Sequence, residues 1–126
     1  MNVRLDHVVI AVTDRRRSDA FYRDVLGADV VERDGRAFYR VGDQQLNVHA
    51  ARVSPAAVAR IPVAPGGSDL CFEWLGPIAD AVAHLGRLGV AIETGPLLRQ
   101  GARGQGTSVY VRDPDGSLLE LISYRA

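Results

Sequence analysis

A chain of 126 residues, 47% hydrophobic and 24% charged, is long enough to bury one core without disulfide or metal staples, and one domain is expected. Fifteen basic residues balance fifteen acidic ones, so no global field draws nucleic acid, and a small molecule is the expected partner. No apolar run approaches the roughly 20 residues that span a bilayer. The opening Met1-Asn2-Val3-Arg4-Leu5-Asp6 lacks the layout of a secretory leader, and Cys71 is the single cysteine, so a reducing cytoplasm is the expected compartment.

Residues 5–12, Leu-Asp-His-Val-Val-Ile-Ala-Val, are β-branched and apolar and predict a strand that stops at the helix N-cap Thr13-Asp14. From Arg15 to Leu26 apolar residues recur at a helical period, closed by Gly27. The basic run Arg15-Arg16-Arg17 is read as a solvated helix start, since no aromatic platform accompanies it. Two short strands follow around 28–33 and 36–41, joined by the hairpin signal Asp34-Gly35, and a third covers 44–50 after Gly42-Asp43. A polar, proline-bearing stretch over 51–67 reads as a linker. The order then repeats: a strand over 69–74, a helix from Pro77 to Leu88, strands over 90–94, 108–112 and 117–124, and the turn Asp113-Pro114-Asp115-Gly116 before the last. Residues 94–107, rich in glycine and carrying Arg99 and Arg103, predict a mobile loop able to close an arginine over an anionic substrate.

The repetition is an internal duplication of roughly 60 residues, with a first module over about 1–52, a linker over about 53–66 and a second module over about 67–126. Laid over one another, residues 21–30 parallel 81–90, His7 matches Asp69, and Leu46-Asn47 matches Leu119-Glu120. Glu120 stands out because it is a lone carboxylate in the apolar strand Leu118-Leu119-Glu120-Leu121-Ile122, where a charge is costly unless something pairs with it. Residues two apart on a strand share a face, which groups His7 with Val9 and Ala11, Asn47 with Gln45 and His49, and Asp69 with Cys71. His7, His49 and Glu120 are the candidate metal ligands: two imidazoles and a carboxylate suit Zn, Ni, Mn, Co or Fe and leave positions open for substrate. Asp69 and Asn47 are the candidates for positioning substrate or moving a proton. Each has a plainer reading, His49 as a half-buried residue with a satisfied hydrogen bond and Asp69 as a turn residue. His84 is read as a surface residue, Cys71 as a small packed hydrophobe, and Phe21, Phe72 and Trp74 as core or cavity wall.

The segments Leu5-Asp6-His7-Val8-Val9-Ile10-Ala11-Val12-Thr13-Asp14, Phe21-Tyr22-Arg23-Asp24-Val25-Leu26-Gly27 and Tyr110-Val111-Arg112-Asp113-Pro114-Asp115-Gly116-Ser117-Leu118-Leu119-Glu120-Leu121 resemble the vicinal oxygen chelate superfamily of glyoxalases, bleomycin and fosfomycin resistance proteins and extradiol dioxygenases. The resemblance implies an α+β fold of two βαβββ modules forming a cup-shaped mixed sheet around a divalent metal, commonly in a homodimer. His7 matches that family's first-strand ligand and Glu120 its last-strand ligand. Two positions depart from the pattern: Asp69 stands where many members place histidine, and Asn47 where glyoxalase I places glutamate. Leu46-Asn47-Val48-His49 and Ser68-Asp69-Leu70-Cys71-Phe72 look most like an uncharacterised glyoxalase-like subgroup that includes virulence-associated proteins. What this implies is a metal-dependent lyase, isomerase or dioxygenase acting on a small oxygen-chelating substrate, with Asp69 as a fourth ligand or an orienter of the others. The alternative is a metal-free drug- or metabolite-sequestering protein of the bleomycin resistance type.

Overall fold

The computed structural model describes residues 2–50 and 57–125, so the first part of the expected linker, 51–56, lies outside the described residues. The element order is β1(His7–Val12), α1(Arg15–Leu26), β2(Asp29–Arg33), β3(Arg36–Val41), β4(Gln44–Ala50), β5(Asp69–Glu73), α2(Ile78–Arg87), β6(Thr94–Gly101), β7(Gly104–Arg112) and β8(Leu118–Ser123). This is an α+β chain of two βαβββ modules, each with its own four-stranded mixed sheet, ordered β1-β4-β3-β2 and β5-β8-β7-β6. The chain divides into two compact units, Met1–Ser68 and Asp69–Ala126. No helix among the described residues is long and apolar enough to cross a membrane.

In the N-terminal unit, Asp14 caps α1 by accepting from the Arg17 backbone N–H at 3.2 Å, and Gly27 ends it in the left-handed region at φ 66°. Asp34 and Gly35 both have positive φ, 53° and 75°, the two-residue turn whose twist matches an antiparallel hairpin. The core lies between α1 and one sheet face. Tyr22 stacks on Tyr39 with ring centroids 5.0 Å apart, and Ile10, Val12, Leu46 and Val48 are buried beside them. The Tyr39 hydroxyl donates to Ser18 Oγ at 2.8 Å or Asp19 Oδ1 at 2.6 Å, and Arg15 bridges Asp19 and Glu32. Arg15 of the basic run is thus tied down by carboxylates.

The C-terminal unit repeats the plan with an apolar core, Ala81 and Leu85 of α2 with Val109, Val111, Leu119 and Leu121 of β7 and β8. The Asp113-Pro114-Asp115-Gly116 turn is locked by the buried Asp113, whose Oδ1 accepts from the backbone N–H groups of Asp115 and Ser117, both at 2.9 Å. Gly116, at φ 93°, donates to the Asp113 carbonyl at 2.9 Å and so reverses the chain into β8.

Three expectations are corrected here. The strand placed at 90–94 starts instead at Thr94, and the loop placed at 94–107 is a β-hairpin, β6 and β7, turning at residues 102 and 103. Gly104 takes φ 114° at the end of the turn, but Gly101 and Gly106 are there for room within the sheet and do not loosen the chain. A Cβ at Gly101 would collide with Tyr124 and Ile122, and one at Gly106 with Ile122 and the Ser123 carbonyl. The helix overlay of 21–30 on 81–90 is displaced by two residues, because the left-handed glycines that follow the two helices, Gly27 and Gly89, are the equivalent positions.

Candidate functional site

The ladders decide which side chains share a face. In the N-terminal unit β1 runs parallel to β4, pairing His7 with Gln45, Val9 with Asn47 and Ala11 with His49, while β3 lays Phe38 beside Asn47 and Arg40 beside Gln45. These residues occupy the sheet face opposite Leu46 and Val48, which pack in the core. His7 and His49 lie four residues apart along this ladder, about 13 Å at the usual rise per residue. The face therefore brings His7 and Asn47 nearer to one another than His7 and His49.

His7 Nδ1 meets Asp6 Oδ1 at 2.7 Å. A carboxylate at Nδ1 fixes the proton there and leaves the Nε2 lone pair outward, the orientation that metal-ligating histidines use. Asn47 is oriented by a chain that starts from a guanidinium. Arg40 Nη1 donates to Gln45 Oε1 at 3.3 Å, and Gln45 Nε2 donates to Asn47 Oδ1 at 2.8 Å. An arginine has no acceptor, so it sets the direction of both amides, and the Asn47 Nδ2–H group is left as a donor toward the open face. His49 borders an apolar cavity of about 250 Å³ whose other walls include Val9, Ala57, Val58, Pro62 and Val63.

In the C-terminal unit the same rung pairs Cys71 with Glu120, and β7 sets Tyr110 opposite Glu120. Asp69 opens β5 as His7 opens β1, and Glu120 occupies the rung that Asn47 occupies. Ser108 Oγ donates to Glu120 Oε2 at 2.6 Å, and Cys71 lies directly cross-strand from the same residue. Among the described residues no cationic side chain pairs with Glu120. Cys71 is exposed on this face and is not the packed hydrophobe expected, because Leu70 and Phe72 take the opposite parity toward Leu119 and Leu121. Partial desolvation against the sheet, then the neighbouring Glu120 and Asp69 carboxylates, push its thiol up to about 12. Both causes disfavour the thiolate. His84 is half-buried, its ring 5.4 Å from that of Trp74, so it is a packing residue of α2 and not a surface one.

The two hairpin arginines are held in place. Arg103 pairs with Glu73 at 3.2 Å and lies over the Tyr124 ring, while Arg99 Nε donates to the Tyr110 hydroxyl at 3.0 Å. Arg40, Gln45, Ser108 and Tyr110 are not among the candidate site residues expected from the sequence. The signal was present in the alternation Ser108-Val109-Tyr110-Val111, which fixes Ser108 and Tyr110 on the Glu120 face once their strand is paired with the last one.

Among the described residues no three His, Cys, Asp or Glu side chains gather as a metal-holding group. Taken singly, two donors have the chemistry of a metal ligand. His7 presents its Nε2, and Glu120 is a half-buried carboxylate that accepts from a neutral hydroxyl and has no counter-charge among the described residues.

The family model described as Glyoxalase/Bleomycin resistance protein/Dioxygenase superfamily matches residues 4–121. The chain is 38% identical over 122 residues to the virulence protein STM3117 of Salmonella typhimurium, covering 96% of this chain and 84% of that protein. The crystal structure of STM3117 superposes with a TM-score of 0.92, covering 98% of both chains. Lactoylglutathione lyase from Agrobacterium tumefaciens matches at 26% identity with a TM-score of 0.73, over 96% of this chain and 93% of that one. A fosfomycin resistance protein, FosX, from Listeria monocytogenes, solved with Mn(II) and a dihydroxypropylphosphonic acid, shares the fold at 20% identity with a TM-score of 0.67, over 97% and 90% of the two chains.

Proposed function

The chain belongs to the Glyoxalase/Bleomycin resistance protein/Dioxygenase superfamily, and from that membership we propose that it is a divalent-metal-dependent enzyme of the lyase, isomerase or dioxygenase class. Its substrate is a small molecule that chelates the ion through neighbouring oxygens. The observation that carries the reading is Glu120, a carboxylate on an open strand face whose hydrogen-bond partners are neutral and which no cation of the described residues balances. Two relatives by fold support the class, a lactoylglutathione lyase and a fosfomycin resistance protein that holds Mn(II).

In this reading His7 and Glu120 are the protein ligands for Zn, Ni, Mn, Co or Fe, and Asp69 is a further donor or the group that moves a proton. When bound, the ion supplies Lewis-acid polarisation of the substrate oxygens. His7 is aimed by Asp6, and Glu120 is held by Ser108. Asn47 donates its Nδ2–H to a substrate oxygen; an amide of this kind positions substrate and takes no proton. That separates the chain from a reaction needing a carboxylate base at this rung. His49, expected from sequence as a third ligand, stands about 13 Å along the ladder from His7, and we assign it to the substrate's apolar end, beside the cavity it borders. The working form is a cytoplasmic homodimer.

The competing reading is metal-free sequestration of a drug or metabolite; a cationic ligand for it is disfavoured by the guanidinium groups on the Asn47 face. Divalent-metal titration of chelator-treated protein tests the proposal. Stoichiometric binding that is lost in His7→Ala and Glu120→Gln supports it. No binding above background, or binding indifferent to both substitutions, rejects it.

A further inference from the structure

The N-terminal unit carries an open groove of about 140 Å³ on the Asn47 face, lined by Val31, Arg33, Phe38, Arg40 and Gln45. For scale, a protein cavity of about 150 Å³ admits one benzene ring. Its electrostatics are unusual for a β-hairpin. Arg33 sits directly across from Arg36 in the β2–β3 ladder, a like-charge pair that destabilises a sheet, and Arg40 lies two residues beyond Phe38 on the same face. Among the described residues none of the three guanidinium groups forms an ion pair. Asp29, cross-strand from Arg40, is the one carboxylate on this face of the hairpin and makes no salt bridge with it. Elsewhere among the described residues Arg15, Arg103 and Arg112 meet a carboxylate within 3.2 Å while the other arginines also form no ion pair, so what distinguishes the groove is the crowding of Arg33, Arg36 and Arg40 about Phe38.

Three guanidinium groups around an aromatic floor, with one carboxylate, Asp29, on the same face, carry an excess of positive charge that has a specific chemical complement. Guanidinium groups present paired donors that match a carboxylate or phosphonate, and the rings and branched chains of Phe38 and Val31 accept a flat or branched apolar body. The Arg40–Gln45–Asn47 relay joins this groove to the amide proposed to hold the substrate. We propose that the groove is a subsite for the anionic group of a small apolar-bodied acid, such as an aromatic carboxylate, with the long side chains of Arg33 and Arg40 reaching it from the rungs on either side of Val31 and Phe38. The identification of this acid as the substrate rests on the reading of the Asn47 face as the substrate side; the binding itself does not.

The test is calorimetric titration of the full chain with benzoate, benzyl alcohol, acetate and inorganic phosphate, each with and without prior chelator treatment. Benzoate is expected to bind at least about tenfold more tightly than the other three, with the preference over benzyl alcohol lost in Arg33→Gln and in Arg40→Gln, since a hydrogen bond to a charged group is worth about a factor of ten or more. Benzyl alcohol affinity should be the same in wild type and both variants, which shows that the groove is still folded. Equal binding of benzoate and benzyl alcohol overturns the subsite. So does benzoate affinity unchanged in both variants, or phosphate binding as tightly as benzoate. Benzoate binding in chelator-treated protein that takes up no metal upholds the subsite while rejecting the metal-dependent enzyme, so the two failures are distinguishable.

Discussion

At the third rung of the ladder between first and last strand, the N-terminal unit carries Asn47 beside Val9 and the C-terminal unit carries Glu120 beside Cys71. The backbones match and the chemistry is opposite. Asn47 is part of a relay fed by Arg40, on a face with three arginines that form no ion pair among the described residues, whereas Glu120 is a carboxylate held by a serine hydroxyl. The duplicated module keeps its pairing and its helix, and the open face is free to diverge because those side chains do not fill the core. The cores diverge as well. Tyr39, paired with Leu46, occupies the place of Val111, paired with Leu119, so a buried hydroxyl network in one unit corresponds to aliphatic packing in the other.

That contrast is broken or sharpened by substitution. The largest effect is expected in the aliphatic core: Leu85→Ala, at a side chain with no exposed surface, should cost about 2–5 kcal/mol in denaturant unfolding. A loss under 1 kcal/mol would mean that α2 is not packed as described. Next, Gly106→Ala forces a methyl group against the Ser123 backbone carbonyl and Ile122 and should cost about 1–3 kcal/mol. A neutral result would mean that β7 does not lie against β8 as described. In the polar core, Tyr39→Phe removes a hydroxyl shared by Ser18 and Asp19 and should lower stability by about 0.5–1.5 kcal/mol. The smallest effect belongs to the exposed pair of Arg112 and Glu93, 2.8 Å apart. Arg112→Ala should shift stability by less than about 1 kcal/mol, and less still in high salt.

Much of this plan is legible in the sequence where local rules act alone. Asp14 and Gly27 bracket α1, Asp34-Gly35 makes the hairpin turn, and Asp113-Pro114-Asp115-Gly116 launches β8, since each depends on a few adjacent residues. The β6–β7 hairpin was hidden because its glycines answer to Tyr124 and Ile122, contacts that a linear reading does not contain. Glu120 was visible as a misfit in an apolar strand. Its neighbours were not, because Ser108, Tyr110 and Cys71 reach it through strand register. The direction of the Asn47 amide was likewise out of reach, as it is set by Arg40 through Gln45 from a neighbouring strand.

The measurement that bears most directly on the difference between the two units is a titration of Mn²⁺ and Zn²⁺ into chelator-treated wild type, Glu120→Gln and Asn47→Ala. The account predicts one ion per chain in wild type, affinity reduced by about 100-fold or more in Glu120→Gln, where a ligand is lost outright, and affinity essentially unchanged in Asn47→Ala. Equal affinity in wild type and Glu120→Gln, or a larger loss in Asn47→Ala than in Glu120→Gln, would contradict it.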